Sequence, residues 1–159
     1  GRLFLLLSGH GFGKTKTIFD VAKEHYTILI DPTSATLDMT TLIKKLDYFL
    51  NNSPNSKLYQ YYETAIGKFI ILRALLLSTL LFKNIIHTPK DWLYLQLDTH
   101  KFDVFMSILK ALMKSNELSF TMESALSFLN FQDRKYGRIF IAMDEANVWM
   151  DKVNYFHSY

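Results

Sequence analysis

Cysteine is absent from the 159 residues, which excludes a disulfide scaffold and thiolate metal sites and leaves a reducing compartment open. Glycine is scarce, six in all, and four of the six fall at Gly1 or at positions 9, 11 and 13, a clustering that composition alone does not produce. Charge of one sign is not massed: the formal net charge is +3, with both signs spread along the chain. That balance is compatible with a polyanionic partner but does not argue for one. His25, His87, His100 and His157 show no metal-ligand spacing. The Leu3–Leu7 run is too short for a signal-peptide core. Between Ile66 and Ile86 the longest uncharged run is Ala74 to Phe82, too short to span hydrocarbon, so no membrane is expected. No internal repeat or low-complexity linker is visible. An apolar content of 49% and mean hydropathy of +0.04 exclude a disordered tail. The aromatic content of 15% is read as genome bias rather than a binding surface. No initiator Met is present, and the first strand begins almost at Gly1, so the chain is expected to be part of a longer protein.

What the chain does have is Ser8-Gly9-His10-Gly11-Phe12-Gly13-Lys14-Thr15. A short apolar run leads into this stretch, and a helical pattern with Ile18, Val21 and Ala22 on one face leads out. A loop joining a buried strand to a helix N-terminus aims successive backbone N–H groups and the positive helix end at one point. Glycines there let the backbone approach an anion closely. These features predict a phosphate-binding loop, with Gly9, His10, Gly11, Phe12, Gly13, Lys14, Thr15 and Lys16 around a nucleotide. Lys14 would reach the β- and γ-phosphates, and the Thr15 hydroxyl would ligate Mg²⁺. Ser8 stands where the usual pattern has glycine, a departure that a negative φ tolerates. His10, among the variable loop positions, is expected to face solvent.

Tyr26 to Ile30 reads as a second strand, closed by Asp31-Pro32, where proline cannot donate to a ladder. Asp31 is expected as a turn former. Leu42, Ile43, Leu46, Phe49 and Leu50 suggest a helix, and residues 51–56 a loop. A long helix follows from near Tyr59, buried on most of its circumference, with Lys68, Arg73, Thr79, Lys83 and Asn84 on one polar arc. Thr88-Pro89-Lys90-Asp91 reads as a helix start with Thr88 as N-cap, ahead of core positions Trp92, Leu93 and Leu95. Phe102, Phe105, Met106, Leu109 and Met113 mark another amphipathic helix, and Leu118, Met122, Ala125, Leu126 and Leu129 one more. Arg134, Lys135 and Arg138 are expected to form a solvated approach loop.

Arg138 to Met143 is an apolar strand running into Asp144-Glu145. Buried parallel strands read this way, with ligands beyond their carboxyl ends. With the phosphate loop 130 positions earlier, this segment is a Walker B candidate. Asp144 would hold Mg²⁺ opposite Thr15, and Glu145 would orient and deprotonate the attacking water. Glu145 and Lys14 are thus the expected catalytic pair, Thr15 and Asp144 the metal ligands, and Mg²⁺ and ATP the cofactors. ATP is favoured over GTP by the Asp-Glu pair and the lack of an Asn-Lys-x-Asp segment. The expected architecture is a three-layer α/β/α P-loop NTPase with a parallel sheet, truncated after the Walker B strand. Residues 1–159 form the N-terminal part of that domain: Walker A at 8–15, a helical insert over about 40–131, and Walker B at 139–145.

The adjacent Asp144-Glu145 resembles the additional-strand class of P-loop proteins, which includes AAA⁺ and STAND ATPases. That resemblance implies a further strand between the two motif strands, arriving later in sequence, and the 13 residues from Asn147 to Tyr159 are too few to supply it. Without it, a sensor residue and an arginine finger, hydrolysis by this piece alone is expected to be slow or absent. Gly-Phe-Gly-Lys-Thr-Lys-Thr-Ile-Phe-Asp, the Thr88-Pro-Lys-Asp-Trp-Leu-Tyr-Leu-Gln segment and Ile-Ala-Met-Asp-Glu-Ala-Asn together resemble the P-loop NTPase domain of Crinkler-type effectors, to which retrotransposon-hot-spot proteins are related. The resemblance runs from Leu3 to about Val148. It implies an ATPase domain preceding a separate C-terminal effector module, absent from this chain. Nucleic-acid contact and a host-cell nuclear location follow from the resemblance alone; the general expectation is intracellular, with self-association left open. Two alternatives to an active ATPase stand: a nucleotide-gated assembly switch with little or no hydrolysis, and a structural domain that has lost nucleotide binding.

Overall fold

The apolar run Tyr26–Ile30 forms strand β2, and Ile139–Met143 forms β3 beside it, parallel and in register from Tyr26↔Ile139 to Ile30↔Met143. On the far side of β3 lies β1 (Phe4–Leu7), also parallel, from Phe4↔Phe140 to Leu7↔Met143. The sheet order is therefore β1-β3-β2. The computed structural model describes residues 4–7, 14–113 and 122–144. Six helices complete the described residues: α1 (Lys14–Glu24), α2 (Leu37–Asn52), α3 (Asn55–Phe82), α4 (Pro89–Leu97), α5 (Thr99–Leu112) and α6 (Met122–Tyr136).

Both faces of β2 and β3 are covered, which explains their near-continuous apolar sequence. Ile28, Ile30, Ile139 and Ile141 join the large core built by α2, α3, α5 and α6. On the opposite face Leu29 and Ala142 meet Ile18 and Ala22 of α1 and Leu93 of α4. The period-2 alternation of strand side chains sorts these residues between two cores.

The expected three-layer α/β/α P-loop NTPase architecture is not what forms. The described residues are about 75% helix, and the sheet is three short strands. The physical reason lies in residues 37–136, whose helices bury apolar surface chiefly against one another. Leu42 and Leu46 of α2, Phe69, Leu72, Leu76 and Leu80 of α3, Phe102 and Met106 of α5 and Leu129 of α6 form one continuous cluster. Each such side chain contributes roughly 1.5–3 kcal/mol on burial, so the helical assembly, not the sheet, carries most of the core. The additional-strand expectation is overturned as well. β1 and β3 are hydrogen-bonded neighbours along their whole length, leaving no place between them for a further strand.

Helix α3 is buried nearly all round in its second half, from Phe69 to Leu80, as a helix apolar on every side must be. By length and composition it could cross a membrane, but 61% of its apolar window is buried inside the fold. It begins at Asn55 rather than near Tyr59, and α2 runs on to Asn52. The loop expected over 51–56 thus contracts to Ser53-Pro54, with Pro54 at the N-cap of α3. After α3 the chain reverses through Asn84, whose φ of 56° suits an Asn in the left-handed region. Gly137, at φ 83°, turns the chain from α6 into β3 at no steric cost.

Helix α4 starts as its sequence predicts. Thr88 is the N-cap with Pro89 in the first turn, the Thr88 hydroxyl accepts from Asp91 N–H, and the Asp91 carboxylate accepts from Thr88 N–H. Thr88→Ala is expected to cost about 1 kcal/mol in urea unfolding, and Thr88→Ser almost nothing.

Candidate functional site at the carboxyl edge of the sheet

Because Leu7, Met143 and Ile30 share one register level, all three strands end together, and the segments after them leave from one edge. Asp144 follows β3 directly, and its N–H donates to Ile30 O at 3.0 Å, extending the ladder by one rung. After β2, the Asp31 carboxylate accepts from Thr33 N–H at 2.9 Å and from the Thr33 hydroxyl at 2.7 Å. This is the Asx turn that an Asp-Pro pair favours.

A narrow cleft of about 30 Å³ sits at this edge. Asp144 and Asp31 line it together with Ser34, Gln96 and Ile18 and Phe19 of α1. Ile18 is one helical turn beyond Lys14, so the N-terminal end of α1 opens on the edge that carries Asp144. The first turn of α1 contains no acidic residue, while Lys14 and Lys16 both fall near its start. A helix N-terminus favours anions and disfavours cations, so this end holds its lysines against the helix dipole.

The placement of the sequence-derived candidates is as follows. Lys14 is the first residue of α1 and Thr15 the second, described here by their backbone; Lys16 is exposed on the same turn. Asp144 is partly buried at the cleft. Gly9, His10, Gly11, Phe12, Gly13 and Glu145 lie outside the described residues, as does Ser8. Among the described residues no group of three or more His, Cys, Asp or Glu is arranged to hold a metal ion. The donor chemistry at the cleft nonetheless fits Mg²⁺, which takes hard oxygen ligands and commonly one or two carboxylates, completing its shell with waters and substrate phosphates. Asp144 and Asp31 supply such oxygens.

The buried floor of the cleft is a network that sequence reasoning missed. Arg73, expected on the polar arc of this helix, is 2% exposed. Its Nε and Nη2 donate to the two oxygens of Asp38 at 2.7 and 2.9 Å. Nη2 also donates to Thr36 Oγ1, and Nη1 donates to Leu29 O and Gln96 Oε1. All five donors of the fork are used. Phe69 and Phe102 lie 4.6 and 4.4 Å from the guanidinium carbon, ring centroid to atom, adding cation–π attraction. Burial raises the Asp38 carboxyl, but the hydrogen bonds and charge of Arg73 more than offset it, and the group lies below the ordinary 3.8.

Gln96 and Trp92 of α4 share this task. Among the described strands β2 lies at the sheet's edge, and its outward groups would be costly to bury unpaired. Thr27 O accepts from Trp92 Nε1 at 2.9 Å and from Gln96 Nε2 at 2.8 Å, and Leu29 N–H donates to Gln96 Oε1 at 3.0 Å. Side chains thus stand where a fourth strand would otherwise pair. The one sequence signal for Arg73 was a charge inside the run from Phe69 to Leu77.

No protein-family model, curated protein or solved structure matches the chain.

Proposed function

We propose that the chain binds a Mg²⁺–nucleoside triphosphate, ATP by preference, at the carboxyl edge of its sheet. The observation that carries this reading is the meeting of Asp144 and the first turns of α1 at one cleft. In the sequence, these are the two segments expected to hold a metal and a triphosphate. Two further features support it. The start of α1 carries lysines and no acid, a pattern that an incoming anion would stabilise. The direct pairing of β1 with β3 brings the ends of the two motif strands together without an intervening strand.

In this reading Lys14 and the backbone N–H groups of residues 9–15 neutralise the phosphates, Thr15 and Asp144 hold Mg²⁺, and Glu145 orients water toward the terminal phosphate. Bound metal would supply charge neutralisation of the triphosphate. A role as the nucleotide-controlled part of a larger effector rests on the family resemblance. The second reading, a nucleotide-gated switch, differs from an ATPase only at Glu145. For an ATPase, Glu145→Gln leaves ATP affinity within about threefold and lowers phosphate release at least about 100-fold. Equal phosphate release by both proteins, at unchanged affinity, would remove Glu145 from the chemistry and favour the switch.

A further inference from the structure

Across the Arg73–Asp38 pair from the sheet-edge cleft lies a second one, a small cleft of about 60 Å³ where α2, α3 and α5 meet. Three of its lining side chains are lysines, each from a different helix: Lys45, Lys68 and Lys110. Among the described residues one carboxylate, Asp38, lines the same cleft, and Arg73 donates to both of its oxygens. Thr41 adds a hydroxyl. A wider groove of about 660 Å³ continues from it, sharing Lys45 and Lys68 and adding Lys57.

Lysines along one exposed helix face would separate in water at little cost. Here they line one cleft from three helices, and Lys68 is only partly exposed. Burial, then the charges of Lys45 and Lys110, push the Lys68 ammonium below its ordinary 10.5. Like charges held together in a partly desolvated cleft repel, and an anion seated among them would reverse that repulsion. Lysines are point-charge binders of phosphate, whereas planar carboxylates favour the arginine fork.

We propose that the cleft between α2, α3 and α5 is a binding site for a compact polyanion bearing adjacent phosphate groups, held by Lys45, Lys68 and Lys110. Three lysines around one small cleft suit a small, highly charged molecule better than the extended backbone of a nucleic acid, which would track the wider groove past Lys57.

The test uses inorganic tripolyphosphate, titrated calorimetrically in EDTA into the Lys14→Ala protein, in which binding at the loop 8–15 is weakened. Binding is expected to persist in Lys14→Ala and to fall at least about tenfold in Lys14→Ala carrying Lys68→Gln, and likewise with Lys45→Gln plus Lys110→Gln. Lys90→Gln, at an exposed lysine elsewhere, is expected to leave affinity unchanged. Lys45 and Lys110 are exposed, so their exchange tests the site even if Lys68→Gln disturbs packing; unfolding midpoints identify that case. Loss of all binding in Lys14→Ala, or equal affinity across the cleft variants and Lys90→Gln, would overturn the proposal. So would a thymidine oligomer that binds through the same lysines and is not displaced by tripolyphosphate.

Discussion

Replacing Arg73 with leucine is expected to lower the unfolding free energy by about 3–5 kcal/mol. The variant leaves Asp38, whose side chain is 6% exposed, as an uncompensated charge. It also strips a donor from Leu29 O and Gln96 Oε1 and removes the cation between Phe69 and Phe102. Breaking a buried pair costs more than never having built it, so adding Asp38→Leu to Arg73→Leu is expected to recover part of the loss. Urea unfolding of the two single variants and the double variant measures the coupling. A loss below about 1 kcal/mol for Arg73→Leu, the range of an exposed pair, would contradict the network.

The same pair sets an acid limit. The folded-state carboxyl of Asp38 lies below its ordinary 3.8, so the unfolded chain takes up the proton first as pH falls. The contribution is therefore fully present above the ordinary value and is lost as pH drops through the folded one. Asp38→Asn is expected to flatten that part of the stability profile.

Residue patterns made some of this readable in advance. The 3.6-residue stripe of Phe102, Met106 and Leu109 gave a helix buried on that face, and Thr88-Pro89 gave the start of α4, because both signals are local. Ile139–Met143 read as a buried strand because both of its faces are covered. The sheet order did not follow from any such signal: whether β3 lies beside β1 depends on which apolar edges meet, not on either strand alone. Arg73 was misplaced for a related reason. A charge in an apolar helix is usually assigned to a polar arc, and only the distant Asp38, Leu29 and Gln96 make burial affordable here. The dominance of helix over sheet was likewise hidden, since the stripes of α2, α3, α5 and α6 show amphipathicity but not that these helices choose one another. At the candidate site, Asp144 and the start of α1 were legible from their motifs, whereas Ser34 and Gln96 reach the cleft through the tertiary fold.

Lys14→Ala is expected to weaken Mg²⁺–ATP binding by about 2–5 kcal/mol, roughly 30-fold or more. This second prediction separates affinity from folding. Lys14 opens α1, where a cation opposes the helix dipole, so alanine there leaves stability unchanged or raises it by a few tenths of a kcal/mol. A loss of affinity in a protein of undiminished stability would belong to the site itself.

Calorimetric titration of Mg²⁺–ATP into the unaltered chain and the Lys14→Ala protein, with unfolding midpoints taken in parallel, tests that claim most directly. A saturable, Mg²⁺-dependent heat in the first, weakened by that factor in the second at equal stability, is the predicted result. Equal affinity in both proteins, or no binding to the unaltered chain, would contradict it.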